Sequence, residues 1–350
     1  MDNKLNSLID KALSRRTFLA GAGSVAAASV ITGCSDNGTA TSSTPKGGYT
    51  DADVLNFALN LEYLEASFYL YAATGKGLAA SDMTAGSAST YQTVGTVTLG
   101  SSAMVAGTTT AQQQIINEIA AEEQEHVKFL RAALGSAAVP MPSIDLSFFG
   151  PLAVAAGIFT SSQPAFSPYA SFDAFLIGAF IFEDVGVTAY SGAAPLISAA
   201  GVTAGYLTAA AGILAVEAYH AAYVRTALTG RAIAMGATSP TSTVYPYVGI
   251  ANQVASLRAT LTVGNAGAPG TGTGNTGVAG SSTAVEVPLN VPQSITAASA
   301  IVAADATHAL GFARTVNQVA HIVYGSPTVG VAKGGFFPNG LNSIFATTTA

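Results

Sequence analysis

EQEHVKFLRAAL (residues 123–134) and EAYHAAYVRTAL (217–228) align without a gap. Each opens on Glu-x-x-His, carries an Arg five residues after the His, and closes on Ala-Leu. Glu123–His126 and Glu217–His220 account for two of the chain's four histidines. A second matched pair lies upstream of each: Glu62 is followed seven residues later by Tyr69, and Glu183 by Tyr190. Glu-x6-Tyr and then Glu-x-x-His, twice over, is the ligand order of a four-helix bundle with a two-metal core. Two helices give one Glu each, and the other two give a Glu-x-x-His each.

Helical periodicity supports this placement. Around Glu123 the positions one and two turns away read Ile116, Ile119, His126 and Leu130; around Glu217 they read Ala210, Ile213, His220 and Val224. Each Glu–His pair therefore lies on an apolar stripe that faces a bundle interior. Glu118, Glu122 and Glu125 fall off that stripe and read as a solvated face. A carboxylate among apolar neighbours, as in FIFEDVG around Glu183, costs several kcal/mol unless it is paired or bound to a cation (about that size).

Two divalent ions in one site need bridging carboxylates to offset their repulsion, and terminal ligands to complete each shell. We expect Glu123 and Glu217 to bridge, Glu62 and Glu183 to be terminal, and His126 and His220 to serve one metal each. Four carboxylates and two neutral imidazoles then balance two divalent ions. Glu65 competes with Glu62 for the place on the first helix, and the match to Glu183–Tyr190 favours Glu62. Glu65, Tyr69 and Tyr190 are expected behind the ligands, the tyrosines bonded to a ligand carboxylate of the opposite half. An ordinary core role for either Tyr, and a metal-free polar core for the whole set, are the alternatives.

The same reading sets out the chain. Cap-type residues from Thr50 open a helix to about Thr74, before Gly75. A Gly/Ser/Thr-rich stretch (77–107) follows, with a small hairpin expected around Tyr91–Leu99. Further helices are expected over about Thr110–Leu134, Phe172–Tyr190 and Ala204–Leu228. The Pro-containing connection 136–170 is the length of a crossover between the second and third helices. Residues 50–231 thus form an all-α four-helix bundle. Residues 232–350 form an irregular extension with low-complexity sequence at 264–283 and helical character at 294–325.

Charged residues make up 9% of the 350 and the formal net charge is −6, with a mean hydropathy of +0.44. No run of about 18 strongly apolar, uncharged residues suggests a membrane-spanning helix. The acidic balance speaks against nucleic acid as a partner. Homo-oligomerisation is compatible with the sequence. Ser14-Arg15-Arg16-Thr17-Phe18-Leu19 matches a twin-arginine export signal, which would engage the twin-arginine translocase. Ile31-Thr32-Gly33-Cys34 matches a lipobox. Residues 1–33 are thus expected to be a signal peptide, Cys34 a lipid anchor to a membrane, and 34–49 a tether. The exported protein would be periplasmic or on the cell envelope. A single Cys excludes an intramolecular disulfide framework and a four-Cys iron site.

Three stretches resemble a known family: LNFALNLEYLEASFYLYAATG (55–75), FEDVGVTAYSGAA (182–194) and FARTVNQVAHIVYG…GGFFPNGLN (312–342). They are similar to the ferritin-like superfamily and, more narrowly, to the ferritin-like desiccation-related proteins. That resemblance implies a ferritin-like fold and, on the residues retained here, a di-iron or di-manganese site. His308 and His321 fall outside the ligand scheme and read as ordinary polar residues. Two functions follow as expectations. One is redox chemistry on O2 or peroxide, of ferroxidase or manganese-catalase type and linked to stress protection. The other is a non-enzymatic envelope or desiccation-related protein with a metal-free bundle.

Overall fold

The computed structural model describes residues 48–100, 102–159, 166–234, 247–262, 286–287, 289, 301–304 and 309–349. Arg15, Arg16, Cys34, most of the 34–49 stretch, the 264–283 run and His308 lie outside the described residues.

Four long helices form the bundle: α1 (Asp51–Thr74), α2 (Thr110–Leu134), α3 (Phe172–Ala193) and α4 (Tyr206–Ala234). Their starts are written locally. Thr50 caps α1 with Asp53 in a reciprocal capping box, Thr109 does the same with Gln112 for α2, and Ser171 caps α3. α1 packs along α2 and α3 along α4, and the two pairs meet through α1 and α3. α1 and α3 are apolar almost all round and are buried almost all round. α2 and α4 instead bury one stripe each, which carries the Glu-x-x-His pairs.

The bounds differ from expectation at the second pair. α3 runs on to Ala193 because Gly192 lets the backbone of Arg314 pass against it; a Cβ there would lie 1.8 Å from the Arg314 carbonyl oxygen. A separate turn of helix, Ala199–Thr203, precedes α4. α4 continues through Gly230 because Arg231 pairs with Asp173 at 2.8 Å and Ala232 is buried. By length and composition α4 could cross a membrane, which amends the sequence expectation. Its buried Glu217, His220 and Arg225 make it a core helix of the bundle.

The connections are stapled to the bundle. Asn56 accepts from Val139 N at 3.0 Å, and Tyr63 donates to the Val139 carbonyl at 3.1 Å. No hairpin forms around Tyr91–Leu99. Val97–Thr98 pairs in parallel with Ile144–Asp145 of the crossover, because Gly95 N bonds to the Met141 carbonyl at 2.7 Å and brings the loop alongside.

The extension holds more regular structure than its composition suggests. Tyr247–Leu261 forms α5, although 236–292 reads as a Thr/Gly/Pro/Val-rich stretch. Its signal was the helical spacing of Val248, Ala251, Val254, Ala255 and Leu261, all buried. Within 294–325 the helix among the described residues is only α6, Val316–Val323, started by a Thr315–Gln318 capping box. The tail then folds onto α1. Asn60 accepts from Asn342 N at 2.9 Å, and Phe336 packs against Phe149 and Phe182.

A buried ionic cluster joins α3, α4, α5 and the tail. Asp184 accepts from Arg225 at 2.7 Å and from Arg258 at 2.8 Å; Glu286 accepts from Arg258 and Arg314. Arg225 and Arg131 occupy equivalent places in the sequence repeat but serve different ends. Arg131 reaches the Tyr63 hydroxyl and the Thr84 carbonyl, both at 2.6 Å, and ties down the loop after α1.

Candidate metal centre

The six residues singled out by the repeat converge at the middle of the bundle. α1 supplies Glu62, α2 Glu123 and His126, α3 Glu183, and α4 Glu217 and His220. The four carboxylates are at most 1% exposed, and His126 and His220 are 8% and 5% exposed. Two groups form. Glu62, Glu123, His126 and Glu217 each offer a ligand atom within 4.8 Å of the others, and so do Glu123, Glu183 and His220.

Glu123 belongs to both groups. Its Oε2 lies 3.5 Å from His126 Nδ1 and its Oε1 lies 3.1 Å from His220 Nδ1. Around His126 Nδ1 are also Glu62 Oε2 at 3.3 Å and Glu217 Oε1 at 3.6 Å. Around His220 Nδ1 is Glu183 Oε2 at 3.5 Å. Among the described residues, eight inward-facing atoms have no hydrogen-bond partner: Glu62 Oε2, both oxygens of Glu123 and of Glu217, Glu183 Oε2, and Nδ1 of each His. Buried polar atoms are rarely left so. Oxygen and imidazole donors gathered around two common points are a chemical fit for divalent metal ions.

The outward atoms are satisfied. Tyr69 donates to Glu183 Oε1 and Tyr190 donates to Glu62 Oε1. Each bond crosses from one half of the repeat to the other and leaves one carboxylate oxygen for the interior. Phe68 and Phe175 pack against Tyr69, so the hydroxyl is held in place. Replacing Tyr190 with Phe should weaken metal uptake about 10- to 100-fold, the usual size for a lost partner of a ligand. Equilibrium metal titration of Tyr190→Phe checks this; unchanged uptake would make Tyr190 a core aromatic only.

Glu65 is also buried, one turn from Glu62. It faces Gly186 of α3: a Cβ on that glycine would lie 2.3 Å from Glu217 Oε2 and 3.3 Å from Glu65 Oε1. The glycine leaves the space that these carboxylates occupy.

Glu122 corrects the sequence reading. It does not merely face solvent, as Glu118 and Glu125 do. Its Oε2 is 2.8 Å from Nε2 of His220, and its side chain is only 34% exposed. Helical phase puts Glu122 off the apolar stripe of α2, but α4 lies beside that edge and brings His220 to it. His321 is far from this chemistry, with its ring nitrogens 2.7 Å and 3.1 Å from the carbonyls of Ser326 and Thr349.

Without a cation, protons hold the site together. Burial pushes the Glu62 carboxyl up to about 7 against the pull of His126. Burial, then the charge of Glu123, holds Glu65 and Glu217 well above the usual carboxylate range. Glu123 goes the other way, because the close approach of His126 and His220 on either side outweighs its burial. Burial alone would lower both histidines, but Glu62 and Glu123 push His126 up to about 12, and Glu183 and Glu122 raise His220.

The sign of the resulting linkage is set by these shifts. Raised Glu62 stabilises the fold fully below about 4.5 and loses that contribution as pH rises through about 7; raised His126 starts to lose its share above about 6.5. The metal-free protein should therefore melt at a lower temperature at about pH 8 than at about pH 5.5. A bound metal would displace those protons and would bind better as pH rises, so a loaded protein should resist the fall. Thermal scans with and without metal test this, and a metal-free protein that gains stability over that range would contradict it.

Comparison with known proteins agrees with the geometry. The chain is 32% identical over 186 residues to the desiccation-related protein PCC13-62 of Craterostigma plantagineum, covering 52% of this chain and 54% of that protein. It is 28% identical over 179 residues to the ferritin-like catalase Nec2 of Nesocodon mauritianus, covering 50% of this chain and 52% of that protein. The chain thus spans about half the length of the curated relatives it matches. No solved structure matches it. The ferritin-like domain description matches residues 50–230, the span that holds α1 to α3, α4 as far as Gly230, and every residue of the site. The chain therefore belongs to the ferritin-like domain family.

Proposed function

We propose that the bundle holds two iron or manganese ions and uses them in redox chemistry on O2 or peroxide. The observation that carries this reading is the set of eight buried donor atoms turned toward one another with no hydrogen-bond partner. A metal-free core would have to share protons among those atoms, and each one still without a partner costs about 1–3 kcal/mol. The likeness to a ferritin-like catalase favours peroxide over other oxidants.

Glu62, Glu123, His126 and Glu217 would hold one ion, and Glu123, Glu183 and His220 the other. Glu123, common to both groups, would serve both ions, whereas Glu217, expected from the sequence as a second bridge, groups with Glu62 and His126 alone. When bound, the two ions supply reversible one-electron changes, so that two peroxides can become two waters and one O2. The protein's own contribution is charge balance, orientation and proton supply. The four carboxylates neutralise the ions, and Tyr69 and Tyr190 fix which oxygen of Glu183 and Glu62 points inward. Glu65 lies beside Glu217 across Gly186, its carboxyl held by burial well above the usual carboxylate range, and could take up or give a proton there. The apolar walls of α1 and α3 keep bulk water from that carboxyl.

Elemental analysis and a turnover assay test the reading together. Full-length protein purified without chelator should hold about two Fe or Mn per chain and release O2 from hydrogen peroxide. Metal without O2 release, but with O2 consumption on adding Fe2+, would move the activity to ferroxidase. Absence of both metal and uptake would favour the non-enzymatic alternative. Export through Arg15-Arg16 and lipidation at Cys34, with a place on the periplasmic or envelope side, complete the proposal. Mass spectrometry of the mature N-terminus tests that part, and an unmodified Cys34 would remove the anchor.

A further inference from the structure

The two halves of the repeat match at every ligand, yet they differ immediately beside two of them. Glu122 precedes Glu123, whereas Val216 precedes Glu217. Glu65 follows Glu62 by one turn, whereas Gly186 follows Glu183. Both differences touch the site. Glu122 bonds Nε2 of His220 at 2.8 Å, and Gly186 makes room for Glu65 and Glu217 Oε2.

Among the described residues, no side chain is bonded to Nε2 of His126. The two imidazoles therefore present the same atom, Nδ1, to the interior with different backing. A carboxylate on the far nitrogen fixes the ring orientation and tautomer, and makes Nδ1 a stronger donor. Valine at the matching place in the other half can do neither.

Resting on the dinuclear reading above, we propose that the two metal positions are inequivalent. Glu122 is the positioning residue that makes the Glu123–Glu183–His220 position fill first and bind more tightly. The Glu62–His126 position, with its own share of Glu123 and Glu217, fills second. Gly186 adds to the inequality by admitting a carboxyl, Glu65, that has no counterpart across the repeat. The site then has one ion held as a fixed partner and one held more loosely.

Stepwise titration of the metal-free full-length chain with Co2+, followed by calorimetry and visible absorption, separates the positions without an activity readout. The wild type should show two steps at least about tenfold apart. Glu122→Gln should weaken the tighter step about 10- to 100-fold and leave the weaker one in place. Glu125→Gln, changed on the exposed side of the same helix where Glu125 pairs with Lys128, should alter neither. Val216→Glu gives an independent arm, because a carboxylate placed beside His126 should tighten the weaker step. Equal steps in the wild type, or Glu122→Gln weakening both steps alike, would overturn the inequivalence and leave the dinuclear reading intact. A wild-type chain that takes up no Co2+ would overturn both.

Discussion

Glu123→Ala should lose both metal ions, taking bound Fe or Mn from about two per chain to well under one. Glu123 is the residue common to both groups, with one oxygen 3.5 Å from His126 Nδ1 and the other 3.1 Å from His220 Nδ1. Its removal takes a ligand from each position and also the negative charge that offsets repulsion between the ions. The fold should survive, because the variant deletes a fully buried carboxylate rather than a packing group. Turnover should fall in step with metal content. Glu118→Ala, on the exposed face of the same helix, is the control and should keep its metal. Metal analysis of the two variants side by side decides the point, and a Glu123→Ala protein that retains two ions would remove the bridge from the account.

Arg258→Met should destabilise the protein by about 3–5 kcal/mol, the usual cost of removing one partner from a buried ion pair. Arg258 is 2% exposed, reaches Asp184 and Glu286 at 2.8 Å each, and stacks over the Phe180 ring at 4.6 Å. Its loss leaves two buried carboxylates short of a cation. Asp184 adjoins Glu183 in sequence, so the same variant should weaken metal uptake through the position of α3. Urea unfolding of the metal-free protein measures the first effect and metal titration the second. A cost below about 1 kcal/mol would mean that the remaining arginines compensate.

The bundle was legible because its chemistry is repeated. Two copies of Glu-x-x-His and two of Glu-x6-Tyr put four helices within a few residues of their places and named the six converging side chains. That spacing leaves the two tyrosines open between ordinary core aromatics and partners of a carboxylate in the opposite half, and the Tyr69–Glu183 and Tyr190–Glu62 bonds fit the second. What was not legible depends on how helices lie beside one another. Glu122 is off the stripe of its own helix, and only the approach of α4 turns it into a partner of His220. Arg225 looks like the repeat of Arg131, yet α4 faces α5 and the tail, so its guanidinium enters an ionic cluster. Glu286 is the one glutamate outside the four bundle helices, and its role exists only once Arg258 and Arg314 converge on it. The parallel pairing of Val97–Thr98 with Ile144–Asp145 likewise has no local signature, since it joins segments on either side of a whole helix.

The most direct test of the central claim is anomalous diffraction at the iron and manganese edges from crystals of protein purified without chelator. The account predicts two peaks in the bundle core, one among Glu62, Glu123, His126 and Glu217 and one among Glu123, Glu183 and His220. A core with no anomalous signal after soaking in Fe2+ and Mn2+, or a metal bound only elsewhere on the chain, would contradict it.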